Sequence, residues 1–131
     1  MGVLELFTHH LPTFLKATLI TIQVTALSLV FAFVLGVIFG MFKISKIKPL
    51  VIIANLYISV IRGTPLLVQI LFIYFGLPMV FGFKWTLMTA GVVIMSINAG
   101  AYMTELIRSG IESVDKGQME AARSLSLSYS Q

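Results

Sequence analysis

Asn98, Tyr102 and Glu105 stand at i, i+4 and i+7, which sets an amide, a phenol and a carboxylate on one face of a helix. Such a row can hydrogen-bond and pair charge. Glu105 has Arg108 at i+3, an ion-pair spacing, but no second acid, base or nucleophile stands near enough to suggest catalysis. His9 and His10 are the two imidazoles; adjacent on a helix they point different ways, and no third metal ligand is close in sequence. Without cysteine there is no disulfide framework, no thiolate catalysis and no thiolate metal site. No Gly-rich loop ending in Lys-Ser/Thr is present to cradle ATP phosphates. The residues offer recognition, and neither a cofactor nor a metal site is expected.

A second group is Gly117-Gln118-Met119-Glu120-Ala121-Ala122-Arg123-Ser124-Leu125, a short polar stretch after the last long apolar run. Asp115 can accept from exposed N–H groups as an N-cap, and Gln118 can reach back to complete a capping box. A helix is expected over about 116–126. Glu120 lies early, where the helix dipole favours an acid, while Ala121, Ala122 and Leu125 make a shallow face that another surface can approach closely.

These groups must be held by membrane-embedded elements. The chain is 58% hydrophobic and 11% charged, with a mean hydropathy of +1.00, where soluble domains carry about 25% charged residues. The expected class is all-α, a polytopic membrane helical bundle. Residues 17–42 carry no charge, more than the roughly 20 residues that cross the hydrocarbon. Within this span Thr18, Thr21, Thr25 and Ser28 share a face, either lining a wet pathway or bonding back to their own helix carbonyls. Ser28, Ala32, Gly36 and Gly40 form a ridge suited to close helix packing.

Residues 50–82 form a second apolar stretch, bent or restarted at Arg62-Gly63-Thr64-Pro65. Arg62 is expected near the inner boundary, reaching headgroups or helix-end carbonyls. Gln69 is the lone amide further in, facing a neighbouring helix or a pathway. Gly76, Pro78 and Gly82 mark an outer turn, with Trp85 at headgroup depth. A third span covers 86–109. At 1.5 Å per residue Asn98 falls roughly 20 Å from Trp85, within the hydrocarbon, and either lines a polar pathway with Tyr102 or joins helices. Ser96, Gly100 and Thr104 make a separate packing strip.

The net charge of +4 is a topology signal here and not evidence for nucleic acid. Lys43, Lys46, Lys48, Arg62, Arg108, Lys116 and Arg123 fall on one side, Lys16 and Lys84 on the other, which gives an outer N-terminus and a cytoplasmic C-terminal end. Met1 to Leu6 carries an acid and no base, unlike the opening of a cleaved signal peptide, and Leu6 departs from a myristoylation signal.

Gly-Gln-x-Glu-Ala-Ala-x-Ser-Leu resembles the Glu-Ala-Ala loop of the membrane permease subunits of binding-protein-dependent ABC importers. Arg62-Gly63-Thr64-Pro65, Asn98-Ala99-Gly100-Ala101-Tyr102 and Glu105-x-x-Arg108-Ser109-Gly110-Ile111 resemble the polar amino acid branch. The resemblance covers most of residues 1–131 and implies the N-terminal, three-span portion of a permease transmembrane domain, ending in a cytoplasmic coupling helix. It implies a prokaryotic inner-membrane protein with two ATPase subunits on the cytoplasmic side, a second permease subunit and an extracytoplasmic substrate-binding protein. A polar amino acid is the cargo, and ATP hydrolysis falls to the separate subunits. Coupling would fall to Gly117, Gln118, Glu120, Ala121, Ala122, Ser124, Leu125 and Ser126; Thr25, Gln69, Asn98 and Tyr102 are pathway candidates. Family members usually carry further spans and a Leu-Pro element after this loop, so a fragment or truncated subunit is expected. Ser126 stands where the family usually has glycine, in a position where a left-handed turn costs a side chain on the order of 1–2 kcal/mol. The alternative is a membrane scaffold or assembly subunit with no ATPase partner and no penalty for bulk at Ala121 or Ala122.

Overall fold

The computed structural model describes residues 3–128. Met1, Gly2 and residues 129–131 lie outside the described residues, as do the side chains of residues 3–8 and Lys116, so the readings on the N-terminal side chains and on the Lys116 charge fall there. Six α-helices follow one another, with no strand among the described residues: α1 (Val3–Ile44), α2 (Lys48–Gly63), α3 (Leu66–Leu71), α4 (Leu77–Phe81), α5 (Leu87–Glu112) and α6 (Lys116–Ser124). One turn of π-helix, Phe72–Gly76, joins α3 to α4.

α1 runs well beyond the charge-free residues 17–42 at its N-terminal end, carrying Pro12 inside it. Its 42 residues make a rod roughly 60 Å long, about twice the hydrocarbon thickness. α1 and α5 are each long and apolar enough to cross a membrane, whereas α2 and the arm Leu66–Phe81 pass that test only as a pair bent by 106°.

The bend has a local cause. Thr64 precedes a proline, which disfavours helical geometry, and it is extended at φ −114° and ψ 141°. Pro65 has no N–H, so the carbonyl four residues back, that of Ile61, loses its helical donor. Pro78, further along the same arm, also lacks an N–H. Leu77 N–H bonds the Phe72 carbonyl in the wide register of the π-turn, and the next donor in that register would be Pro78, for the carbonyl of Ile73. Trp85 Nε1–H donates to that carbonyl at 2.9 Å. Trp85 is thus tied into the fold and half-buried, beside an apolar cluster of Ile73, Ala90 and Ile94. The arm stops at Gly82, whose φ of 71° is left-handed. Thr86 then caps α5 by accepting from Thr89 N–H at 3.1 Å.

α1 packs along α5, and α2 lies against both. The ridge of small residues on α1 makes the seam. Ser28 Oγ–H donates to the Val92 carbonyl at 3.4 Å, and Ala32 is fully buried. At Gly36 a Cβ would stand 2.5 Å from Met103 Cγ, closer than real Cβ contacts allow. The facing strip on α5 is buried in turn: Ser96 and Thr104 bond back to the carbonyls of Val92 and Gly100, and a Cβ on Gly100 would meet the Tyr57 hydroxyl at 2.8 Å. Tyr57 donates to the Ile97 carbonyl at 2.6 Å, and its ring stacks on Phe39 with centroids 4.3 Å apart. Close backbone approach across small residues is how helices associate where the solvent is as apolar as leucine. The outward faces fit that solvent: Phe14, Leu15, Leu19, Phe31 and Phe33 are each more than half exposed.

Candidate functional site

α6 is joined to α5 by Ser113, Val114 and Asp115. Asp115 caps it, accepting from Gly117 N–H at 2.8 Å. The reciprocal half of the expected capping box is absent: Gln118 gives its backbone N–H to the Asp115 carbonyl at 3.0 Å, and its side chain makes no bond back. Asp115 already satisfies an early donor, and a glutamine amide left in water loses little. Ser124 Oγ–H turns inward to the Glu120 carbonyl at 3.0 Å.

The helix closes earlier than 126. Leu127 N–H bonds the Ala122 carbonyl at 3.1 Å and Ser126 N–H the Arg123 carbonyl at 3.0 Å, the paired bonds of a Schellman motif. Its left-handed position is Ser126, φ 58°, the one non-glycine residue with positive φ among those described. Serine therefore adopts the geometry glycine would take freely. Gly117, Gln118, Glu120, Ala121, Ser124 and Leu125 are exposed and Ala122 half-buried. A short, capped helix with a shallow alanine face open to solvent can be gripped by another protein.

The row on α5 is divided among three neighbours. Asn98 Nδ2–H donates to Gln69 Oε1 at 3.1 Å, Tyr102 lies under the Arg62 guanidinium, 5.2 Å from its ring centroid, and Glu105 pairs with Lys43 of α1. Arg62 therefore sits over an aromatic face, with no bond to helix-end carbonyls, a cation–π contact. The isolated Glu105–Arg108 pair of the sequence reading becomes a four-member lattice. Arg108 bonds Glu105 at 3.0 Å and also Glu112, while Lys43 closes the other end. Lys43 meets Glu105 only once α1 and α5 are packed and leaves no local trace in the sequence, whereas Glu112, at i+4 from Arg108, stands at a readable helical pair spacing.

Gln69 is buried, and its carboxamide is spent on both sides. Nε2 donates to the Ile61 carbonyl at 2.7 Å and shares its other proton between the Thr64 carbonyl at 3.1 Å and Thr64 Oγ1 at 3.0 Å. Thr64 Oγ1 can accept because its own proton goes to the Val60 carbonyl. The side chain thus replaces the N–H that Pro65 lacks.

A groove of about 440 Å³ opens between α1 and α5, lined by Thr21, Thr25, Ser28, Met95, Asn98 and neighbouring apolar side chains. Thr25 and Asn98 share this groove; Gln69 and Tyr102 do not line it. Thr18 and Thr21 donate to the carbonyls of Phe14 and Ala17, so their hydroxyls bond back to their own helix. His9 and His10 meet edge to face, centroids 5.1 Å apart, and no cluster of three potential metal ligands occurs among the described residues.

The family model described as "Binding-protein-dependent transport system inner membrane component" matches residues 32–131, which include most of the α1–α5 seam, the bend at Thr64-Pro65 and α6. The arginine transport system permease protein ArtQ of Bacillus subtilis is 42% identical over 120 residues, covering 92% of this chain and 55% of that protein. The putative glutamine transport system permease protein GlnP of Rickettsia bellii is 44% identical over 112 residues, covering 86% and 51%. A solved crystal structure of an amino acid ABC transporter with histidines superposes with a TM-score of 0.88 at 42% identity, covering 99% of this chain and 60% of that one. The chain spans about half the length of the curated relatives it matches.

Proposed function

The chain belongs to the binding-protein-dependent transport system inner membrane component family, and from that premise we propose that it is a permease subunit of an ATP-driven amino acid importer. The family match over residues 32–131 carries this reading, because that range holds most of the α1–α5 seam, the bend at Thr64-Pro65 and α6. The cargo is a polar amino acid, of the class that names the arginine and glutamine relatives. Its route runs beside the groove of Thr25 and Asn98, completed by further helices and a second permease subunit. A substrate-binding protein delivers the amino acid from outside a prokaryotic inner membrane. The Lys and Arg distribution supports an outer N-terminus and a cytoplasmic α6.

Two ATPase subunits grip α6 through Gly117, Glu120, Ala121, Ala122 and Leu125. ATP binding shifts the permease between its two states only as far as it favours one of them, so the grip has to be rigid. Asp115 and the Schellman turn supply that rigidity by closing both ends of a nine-residue helix. A shallow alanine face lets the ATPase backbone come close, and Glu120 adds one directional charge.

The test is uptake per ATP hydrolysed in proteoliposomes holding the permease with its ATPase and binding protein. Ala122→Trp and Glu120→Lys are each expected to lower that ratio at least tenfold. Normal coupled uptake in both variants overturns the assignment.

A further inference from the structure

Gln69, in the second turn after the break, bonds the broken end of α2 and α5 at once. Its orientation is not free. Three oxygens, the Ile61 and Thr64 carbonyls and Thr64 Oγ1, fix which end of the carboxamide is the donor. Oε1 is thereby presented to α5, where Asn98 supplies Nδ2–H. A flipped amide would set an oxygen against three oxygens and a nitrogen against a nitrogen. In surroundings where water is scarce, a backbone carbonyl left without a donor is costly, so the Ile61 carbonyl holds Gln69 in place and Gln69 holds Asn98. α5 in turn runs directly into the turn that carries α6.

We infer that Gln69 is a positioning residue that makes the α2–α3 elbow and α5 move as one body during the transport cycle, so that displacement at α6 reaches the arm Leu66–Phe81. This rests on the importer reading for its consequence in transport, though not for its geometry. Side chains at the elbow agree with it. Arg62, two residues before the break, stacks on Tyr102, one helical turn along α5 from Asn98, which gives a second and weaker contact between the same two elements.

The 131 residues contain no cysteine, so once any cysteines elsewhere in the complex are replaced by serine, spin labels at Leu67→Cys on α3 and Leu106→Cys on α5, both well exposed, report the distance between arm and helix. In the assembled transporter with otherwise native residues, the label distance distribution is expected to be narrow and to keep its width with and without ATP. Gln69→Leu, of similar size but without the amide, is expected to at least double that width. It is also expected to lower uptake per ATP at least fivefold while hydrolysis by the assembled complex stays within twofold. A purely structural role would reduce assembled complex and leave uptake per ATP unchanged. If Gln69→Leu fails to assemble, Asn98→Leu severs the link to α5 while sparing the elbow bonds, and is read by label distance alone, with the same doubling expected. An unchanged width in the assembled variant overturns the inference. A transporter that moves no amino acid while its distances behave as described overturns the importer reading and leaves the latch standing.

Discussion

Lys43, in the last turn of α1, and Glu105 of α5 form an ion pair across the helix seam, their side chains 20% and 21% exposed. A partly buried pair contributes through what its loss leaves behind. Glu105→Gln leaves Lys43 charged beside an amide and removes the centre of the lattice that reaches Arg108 and Glu112. The expected loss of stability is about 1–3 kcal/mol, less than for a fully buried pair because water and salt screen this one. The double change Lys43→Met with Glu105→Leu, which replaces the pair by apolar contact, is expected to cost less than Glu105→Gln alone. Thermal unfolding of the detergent-solubilised protein checks both; a double variant that is the less stable of the two refutes the argument.

Ser126 pays for a turn built for glycine. Ser126→Gly is expected to stabilise the end of α6 by about 1 kcal/mol, and Ser126→Val to loosen it by at least as much. Hydrogen exchange reads this directly. The Leu127 amide, bonded to the Ala122 carbonyl, is expected to exchange about fivefold more slowly in the glycine variant, as 1 kcal/mol requires at room temperature. Equal protection in serine and glycine forms would show that the left-handed turn carries no strain.

The chain's single tryptophan offers a third measurement. Trp85→Phe keeps an aromatic ring against Phe83, whose centroid lies 4.9 Å from that of Trp85, but leaves the Ile73 carbonyl without its donor. The expected destabilisation is about 1–3 kcal/mol. A variant that keeps wild-type stability would mean that water reaches the π-turn and serves Ile73 in place of the indole.

Much of this architecture is readable from the chain because each signal is local. Charge-free runs mark the long helices, Thr64-Pro65 marks the break, Asp115 marks the start of α6, and small residues every fourth position mark the face along which α1 meets α5. The 106° angle at the elbow is not readable. A proline says that a helix stops; neighbours decide where the chain goes next. Gln69 illustrates the limit. Its type and depth single it out, yet its partners become visible only when Ile61, Thr64 and Asn98 are brought around it. The sequence does carry one signal of it: an amide four residues after a proline stands well placed to serve the carbonyl that the proline has orphaned. The residues of α6 are visible by pattern, because its cap and its polar sequence are both local.

Between α5 and α6 only Ser113, Val114 and Asp115 intervene. Three residues pulled straight cover at most about 10 Å, and here they are folded, with Ser113 bonded back to the Ser109 and Gly110 carbonyls. The leash therefore has little slack, and any excursion of the small helix beyond it must haul on the foot of its long neighbour.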